Sequence, residues 1–132
     1  MNQVNTQGCR YLSRTYWPNL QIINLSKRDI WYSDQNKINA KGCSYLSKVY
    51  WPNLQYINLC KKAIKDLDKN KIGDQGCSHL SKSYWPNLQT ISLSNWYIKS
   101  LGDNKITQAG FVYLCKQQWP KIDMIYLGNN SF

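Results

Sequence analysis

The sequence predicts a single α/β domain, a solenoid of about four 34-residue units in which each unit is a helix followed by a short strand. The parallel strands are expected on the concave side and the helices on the convex side. Three observations predict this. Gly8, Gly42, Gly76 and Gly110 are 34 residues apart, and so are Trp17, Trp51, Trp85 and Trp119, each followed by proline. Within each unit the hydrophobic spacing switches once, from the period of a helix to the period of a strand. The switch falls at the same place in every copy. Self-similarity at a fixed period of this length marks stacked architectures, in which each unit buries its apolar face against the next. The units run approximately over 5–38, 39–72, 73–106 and 107–132, the last being looser and shorter.

The helix comes first. From Gly76 the apolar positions Cys77, Leu80 and Tyr84 fall at the spacing of one helix face. Three residues before each glycine stand Asn5, Asn39, Gly73 and Thr107, all residue types that serve as helix N-caps. The Trp-Pro pair ends the helix, because proline disfavours helical geometry in the residue before it. The strand follows, with the alternation Ile23, Leu25; Ile57, Leu59; Ile91, Leu93; Ile125, Leu127 implying one buried face. An inserted segment then closes each of the first three coils. These segments carry Ile30, Ile64 and Ile98, with Leu67 and Leu101 three residues on in two of them, and a short helical turn is expected there.

The runs Leu20-x-x-Ile23-x-Leu25, Leu54-x-x-Ile57-x-Leu59, Leu88-x-x-Ile91-x-Leu93 and Ile122-x-x-Ile125-x-Leu127 resemble the L-x-x-L-x-L core of leucine-rich repeats. The resemblance spans nearly the whole chain. The stretch from Asn70 to Ser81 is similar to ribonuclease-inhibitor-type repeats, and the stretch from Asn104 to Leu127 also to the cysteine-containing repeats of F-box substrate adaptors. Both types imply a curved stack used for protein binding. The chain departs from the family pattern in two ways. The asparagine expected after the strand stands only at Asn130, with Arg28, Lys62 and Trp96 in its other places, and the unit is longer than either subtype. A 34-residue period also fits tetratricopeptide repeats, which are pairs of helices. The recurring proline and the alternation after it favour a strand.

Composition narrows the function. Seventeen Lys plus Arg stand against seven Asp and no Glu, for a net charge of +10. That balance attracts acidic partners over long range, although an Asn-, Lys-, Ile- and Tyr-rich composition is also what AT-rich coding produces. No run reaches the roughly 18 apolar residues of a membrane span, and the first ten residues lack a secretory signal pattern. The expectation is a cytoplasmic or nuclear protein with reduced thiols and no membrane partner.

In a stacked repeat, any residue type recurring at the period becomes a ladder. Leu12, Leu46, Leu80 and Leu114 with the strand Ile and Leu positions are expected to form the core, and the four tryptophans to pack at the helix-to-strand corner. Cys9, Cys43 and Cys77 suggest a metal site, but Phe111 occupies that place in the fourth copy and no C-x-x-C pair exists. A buried apolar site explains them better. His79, the single histidine, takes the place of Tyr11, Tyr45 and Tyr113. With no glutamate and no second histidine, acid-base and nucleophile-base pairings have few members to draw on. No catalytic residue, cofactor, metal or small-molecule substrate is expected. The series Asp66, Asp68, Asn70, Ile72, Asp74 follows the spacing of an EF-hand calcium loop, but Lys71 replaces its glycine and Cys77 its terminal glutamate.

Two surfaces remain. The resemblance implies contact residues on the concave strand face: Ile22, Asn24 and Ser26; Tyr56, Asn58 and Cys60; Thr90, Ser92 and Ser94; and Met124, Tyr126 and Gly128. Its edge is basic at Lys27, Arg28, Lys61 and Lys62 and aromatic at Trp96. Tyr56, Asn58, Trp96, Met124 and Tyr126 together with those four cations are the leading candidate contacts. On the helices Arg14, Lys48, Lys82 and Lys116 repeat in register, either as a solvated face or as a stripe for an acidic partner or a phosphate backbone. The first expectation is a protein-interaction scaffold. A basic nucleic-acid or ribonucleoprotein component is the alternative, as is a fragment of an F-box-type adaptor, since four units without caps leave core exposed at both ends.

Overall fold

The computed structural model describes residues 4–26, 36–60, 70–93, 104–128 and 130. Among them four helices alternate with four strands: α1 Thr6–Leu12, β1 Ile22–Asn24, α2 Ala40–Leu46, β2 Tyr56–Asn58, α3 Gly73–Leu80, β3 Thr90–Ser92, α4 Gln108–Lys116 and β4 Met124–Tyr126. The strands form one parallel sheet in chain order, β1-β2-β3-β4. Ile23, Ile57 and Ile91 each pair with the residue 34 positions later, so the sheet register reproduces the sequence period. The inserted segments, and with them the expected helical turns, lie outside the described residues.

The core sits between sheet and helices. Leu46, Leu54, Ile57, Leu59, Leu80, Leu88, Ile91 and Leu93 are fully buried, and Cys9, Cys43 and Cys77 are buried in the same cluster. Gly42, Gly76 and Gly110 are where successive helices approach one another. A Cβ on Gly110 would lie 2.5 Å from Asp74 Oδ1 and 3.2 Å from Asp74 Cα on the neighbouring helix, so only glycine lets the two helices close.

Tryptophan packing is as the ladder reading expects, with a difference at one end. Trp51, Trp85 and Trp119 are buried and stack at centroid distances of 5.9 and 6.4 Å, whereas Trp17 is 38% exposed. Trp85 Nε1 donates to Val49 O and Trp119 Nε1 to Ser83 Oγ, each from one coil to the one before. The corresponding donor of Trp51 is buried without an acceptor.

Three expectations need correction. The first three helices stop at Leu12, Leu46 and Leu80, well short of Trp-Pro. Ser13, Ser47 and Ser81 cap them, each hydroxyl donating to the carbonyl three residues back and competing with the next helical bond. Cys115 stands at that position in the fourth copy, and α4 continues to Lys116. Because the chain has left the helix, Tyr84 does not continue the helix face of Cys77 and Leu80; it is exposed, and Ser83 is buried instead.

The N-caps hold in three copies. Asn5, Asn39 and Thr107 side chains accept from the first helical N–H groups. Gly73 has no side chain to do so; it takes φ +60 within the helix, a backbone region that glycine enters without penalty.

A recurring asparagine does work that sequence spacing did not assign to it, at Asn36, Asn70 and Asn104. Each lies eleven residues after the last strand leucine, on the far side of the inserted segment. Asn70 Nδ2 donates to Leu59 O at 2.7 Å, and its Oδ1 accepts from Ile38 N at 3.0 Å. Asn36 does the same for Leu25 O and Val4 N. Asn104 Nδ2 bonds Leu93 O, but its Oδ1 is buried without a partner. Asn130, three residues after Leu127, donates to Leu127 O. At β1, β2 and β4 one amide thus ties the end of the strand to the start of the preceding helix, while at β3 it holds the strand end alone. A second asparagine series joins successive Trp-Pro corners, where Asn53 and Asn87 donate to Pro18 O and Pro52 O.

Candidate functional site

Alternation along three-residue strands leaves two outer positions per strand, and the parallel register aligns them across the sheet. Ile22, Tyr56, Thr90 and Met124 form one row, and Asn24, Asn58, Ser92 and Tyr126 the other. The row between them, Ile23, Ile57, Ile91 and Ile125, packs into the core or against it. Four of the expected contacts, Tyr56, Asn58, Met124 and Tyr126, therefore share one face.

Local hydrogen bonds hold this face in shape. Asn24 and Asn58 each accept from the N–H two residues on, at 3.0 Å, which turns the chain out of the strand. Asn58 Nδ2 also reaches Tyr56 Oη at 3.2 Å, and Tyr126 Oη lies 2.7 Å from Met124 Sδ. The face grades from apolar at Ile22, 62% exposed, through half-buried Tyr56 and Thr90 to Met124, 45% exposed. Two expected members are covered from solvent: Cys60 and Ser92 are buried. The edge residues Lys27, Arg28, Lys61, Lys62 and Trp96, with Ser94, lie outside the described residues.

The remaining chemistry is structural. Burial pushes the Cys9 and Cys77 thiols up to about 12. Cys43 is likewise raised well above its ordinary value, by burial first and then by the thiols of Cys9 and Cys77. Such thiols stay neutral and are poor nucleophiles. None of the five cysteines is in a disulfide, and Cys115 alone is exposed. Among the described residues no three of His, Cys, Asp and Glu come together as a metal group. Of the calcium-like series, Asn70 spends its amide on backbone bonds, Ile72 is buried, and Asp66 and Asp68 lie outside the described residues.

Asp74 has a role that the sequence did not signal. Its carboxylate accepts from Thr107 N at 2.7 Å, Thr107 Oγ1 at 2.7 Å and Gly110 N at 3.0 Å, capping α4 from the neighbouring coil. Desolvation acts to raise its pKa, but these hydrogen bonds together hold the carboxyl below its ordinary value. The cation row Arg14, Lys48, Lys82 and Lys116 is exposed throughout, while His79 is half-buried on its helix. No described helix is long and apolar enough to cross a membrane. Compared with protein-family models, curated proteins and solved structures, the chain matches none.

Proposed function

We propose that the chain is a short leucine-rich-repeat solenoid that binds another protein on its strand face and performs no catalysis. The observation that carries this reading is the pair of in-register outer rows, Ile22 to Met124 and Asn24 to Tyr126, on a sheet whose other face is core. The repeats hold the floor constant while its side chains change from coil to coil, and variation on a rigid floor is what recognition of one partner needs. Support for the family reading comes from the asparagines, since Asn36, Asn70 and Asn104 supply the family's post-strand residue once the inserted segment is passed over. The edge at Lys27, Arg28, Lys61, Lys62 and Trp96 follows directly on the strands in sequence, and its charge selects an acidic partner in an intracellular compartment.

Affinity capture from cell extract tests this. The wild-type chain and a Tyr56→Ala/Tyr126→Ala variant are compared by quantitative mass spectrometry, with Arg10→Ala as an outer-face control. A protein retained by wild type and by the control but lost from the strand-face variant is the expected result. Identical captures by all three would defeat the proposal.

A further inference from the structure

The strand face leaves a second, repeating surface unused. Arg14, Lys48 and Lys82 are exposed just past their helices, and Lys116 is exposed at the last residue of α4. Two residues further on, Tyr16, Tyr50 and Tyr84 are 72%, 49% and 69% exposed. The rings of Tyr50 and Tyr84 lie 5.7 Å apart and within 15° of parallel, so successive coils present their phenols in line. Packing does not require tyrosine here, because the fourth copy carries an exposed Gln118. On the helical side of the cations runs another aromatic row, Tyr11, Tyr45, His79 and Tyr113, three residues earlier at each coil. Arg14, Lys48 and Lys82 thus each have an aromatic residue three positions before and two positions after in sequence, and Lys116 has one before it only.

Charge reinforces the pattern. Of the seven aspartates only Asp74 and Asp123 belong to the helix-and-strand scaffold, the others lying in the inserted segments. Asp74 is engaged by Thr107 and Gly110. The scaffold therefore presents a basic outer face whose field attracts polyanions.

We propose that this band binds a single-stranded nucleic acid laid along the stacking direction, with phosphates at the Arg14-to-Lys116 row and bases at the Tyr16-to-Tyr84 row. A ligand for the band must offer one negative charge and one planar ring per coil, and a single strand offers both. An acidic peptide would satisfy the cations and leave the tyrosines idle, and a duplex would hide its base faces. Tyr16 is 72% exposed and stacks on no other ring among the described residues, which leaves ring surface for a base. Tyr50 and Tyr84 need to part by only about 1 Å to reach ~6.8 Å, twice the stacked rise, which admits a base between them. This surface is separate from the strand face and does not depend on the protein partner proposed there.

Fluorescence anisotropy with a labelled oligothymidylate of about twelve nucleotides, at a series of salt concentrations, reads the proposal. Neutralising four phosphates predicts a slope of log K against log salt of about −2.8. Lys48→Gln/Lys82→Gln shortens that slope by about 1.4, a share set by two contacts. Tyr50→Leu/Tyr84→Leu keeps the slope and weakens binding by about tenfold or more, the loss expected of base stacking. Tyr126→Ala binds the oligonucleotide as wild type does. All these side chains are at least partly exposed, and melting curves verify that each variant is folded. No binding at low salt overturns the proposal. So does equal affinity of the tyrosine variant, or equal binding of polyglutamate or of duplex at the same salt, since each would reduce the surface to unspecific charge.

Discussion

Asn70→Ala is the substitution that most sharply probes how the coils are joined. Asn70 is fully buried, and its amide makes two bonds to backbone groups, to Leu59 O at 2.7 Å and from Ile38 N at 3.0 Å. Alanine leaves both without a partner. An orphaned buried group costs about 1–3 kcal/mol, so the substitution costs about 2–6 kcal/mol. Against a total stability on the order of 5–15 kcal/mol, that is a large share. With roughly 3–5 °C per kcal/mol for a chain of this size, melting should fall by at least about 6 °C. Circular dichroism during thermal and urea unfolding measures it. Asn104→Ala provides an internal scale: Asn104 makes only the donor bond, because its Oδ1 has no partner, so its loss should cost about half as much. An Asn70→Ala protein that melts within about 2 °C of wild type, or an Asn104→Ala protein that is the less stable of the two, would refute this account of the inter-coil bonds.

Three further outcomes follow from the same structure. Gly110→Ala places a Cβ 2.5 Å from Asp74 Oδ1 and 3.2 Å from its Cα, and should destabilise by about 1–3 kcal/mol in urea titrations, as overpacking does. Asp74 has a folded pKa below 3.8, so its contribution is complete above that value and lost as the pH falls through the folded value. The stability gap between wild type and Asp74→Asn should therefore be constant from neutrality to about pH 5 and shrink below about pH 4, by the same linkage; a gap unchanged to pH 2 counts against it. For the thiols, a maleimide at pH 8 should modify Cys115 in the native protein and reach Cys9, Cys43 and Cys77 only in denaturant, as mass spectrometry of digested samples will show.

What could be read in advance follows from the period. A repeat of 34 fixes which residues become neighbours once coils stack, so the Ile23-Ile57-Ile91-Ile125 row and the tryptophan ladder needed no coordinates. The asparagines were missed because the inserted segment separates Asn36 from Leu25 in sequence while leaving them bonded in space. Their recurrence in Asn-Lys-Ile in the first three units was the available signal. The helix ends were missed because a face periodic through Leu80 can be extended on paper to Tyr84, whereas the Ser81 hydroxyl turns the chain away. That same extension placed Tyr84 on the helix face and left Tyr16 and Tyr50 unremarked as a row. Asp74 carried no local sign of its role, since the groups it caps lie 33 and 36 residues away.

The claim that the strand face is the protein-binding surface is tested most directly by site-specific photo-crosslinking in cells. A benzophenone amino acid at Tyr56 or Met124, both on the outer row of the sheet, should yield a covalent adduct with one and the same protein. The same probe at Arg10, on the exposed helix surface, should not. An adduct formed at Arg10 alone, or no protein adduct from either strand position, would contradict the account.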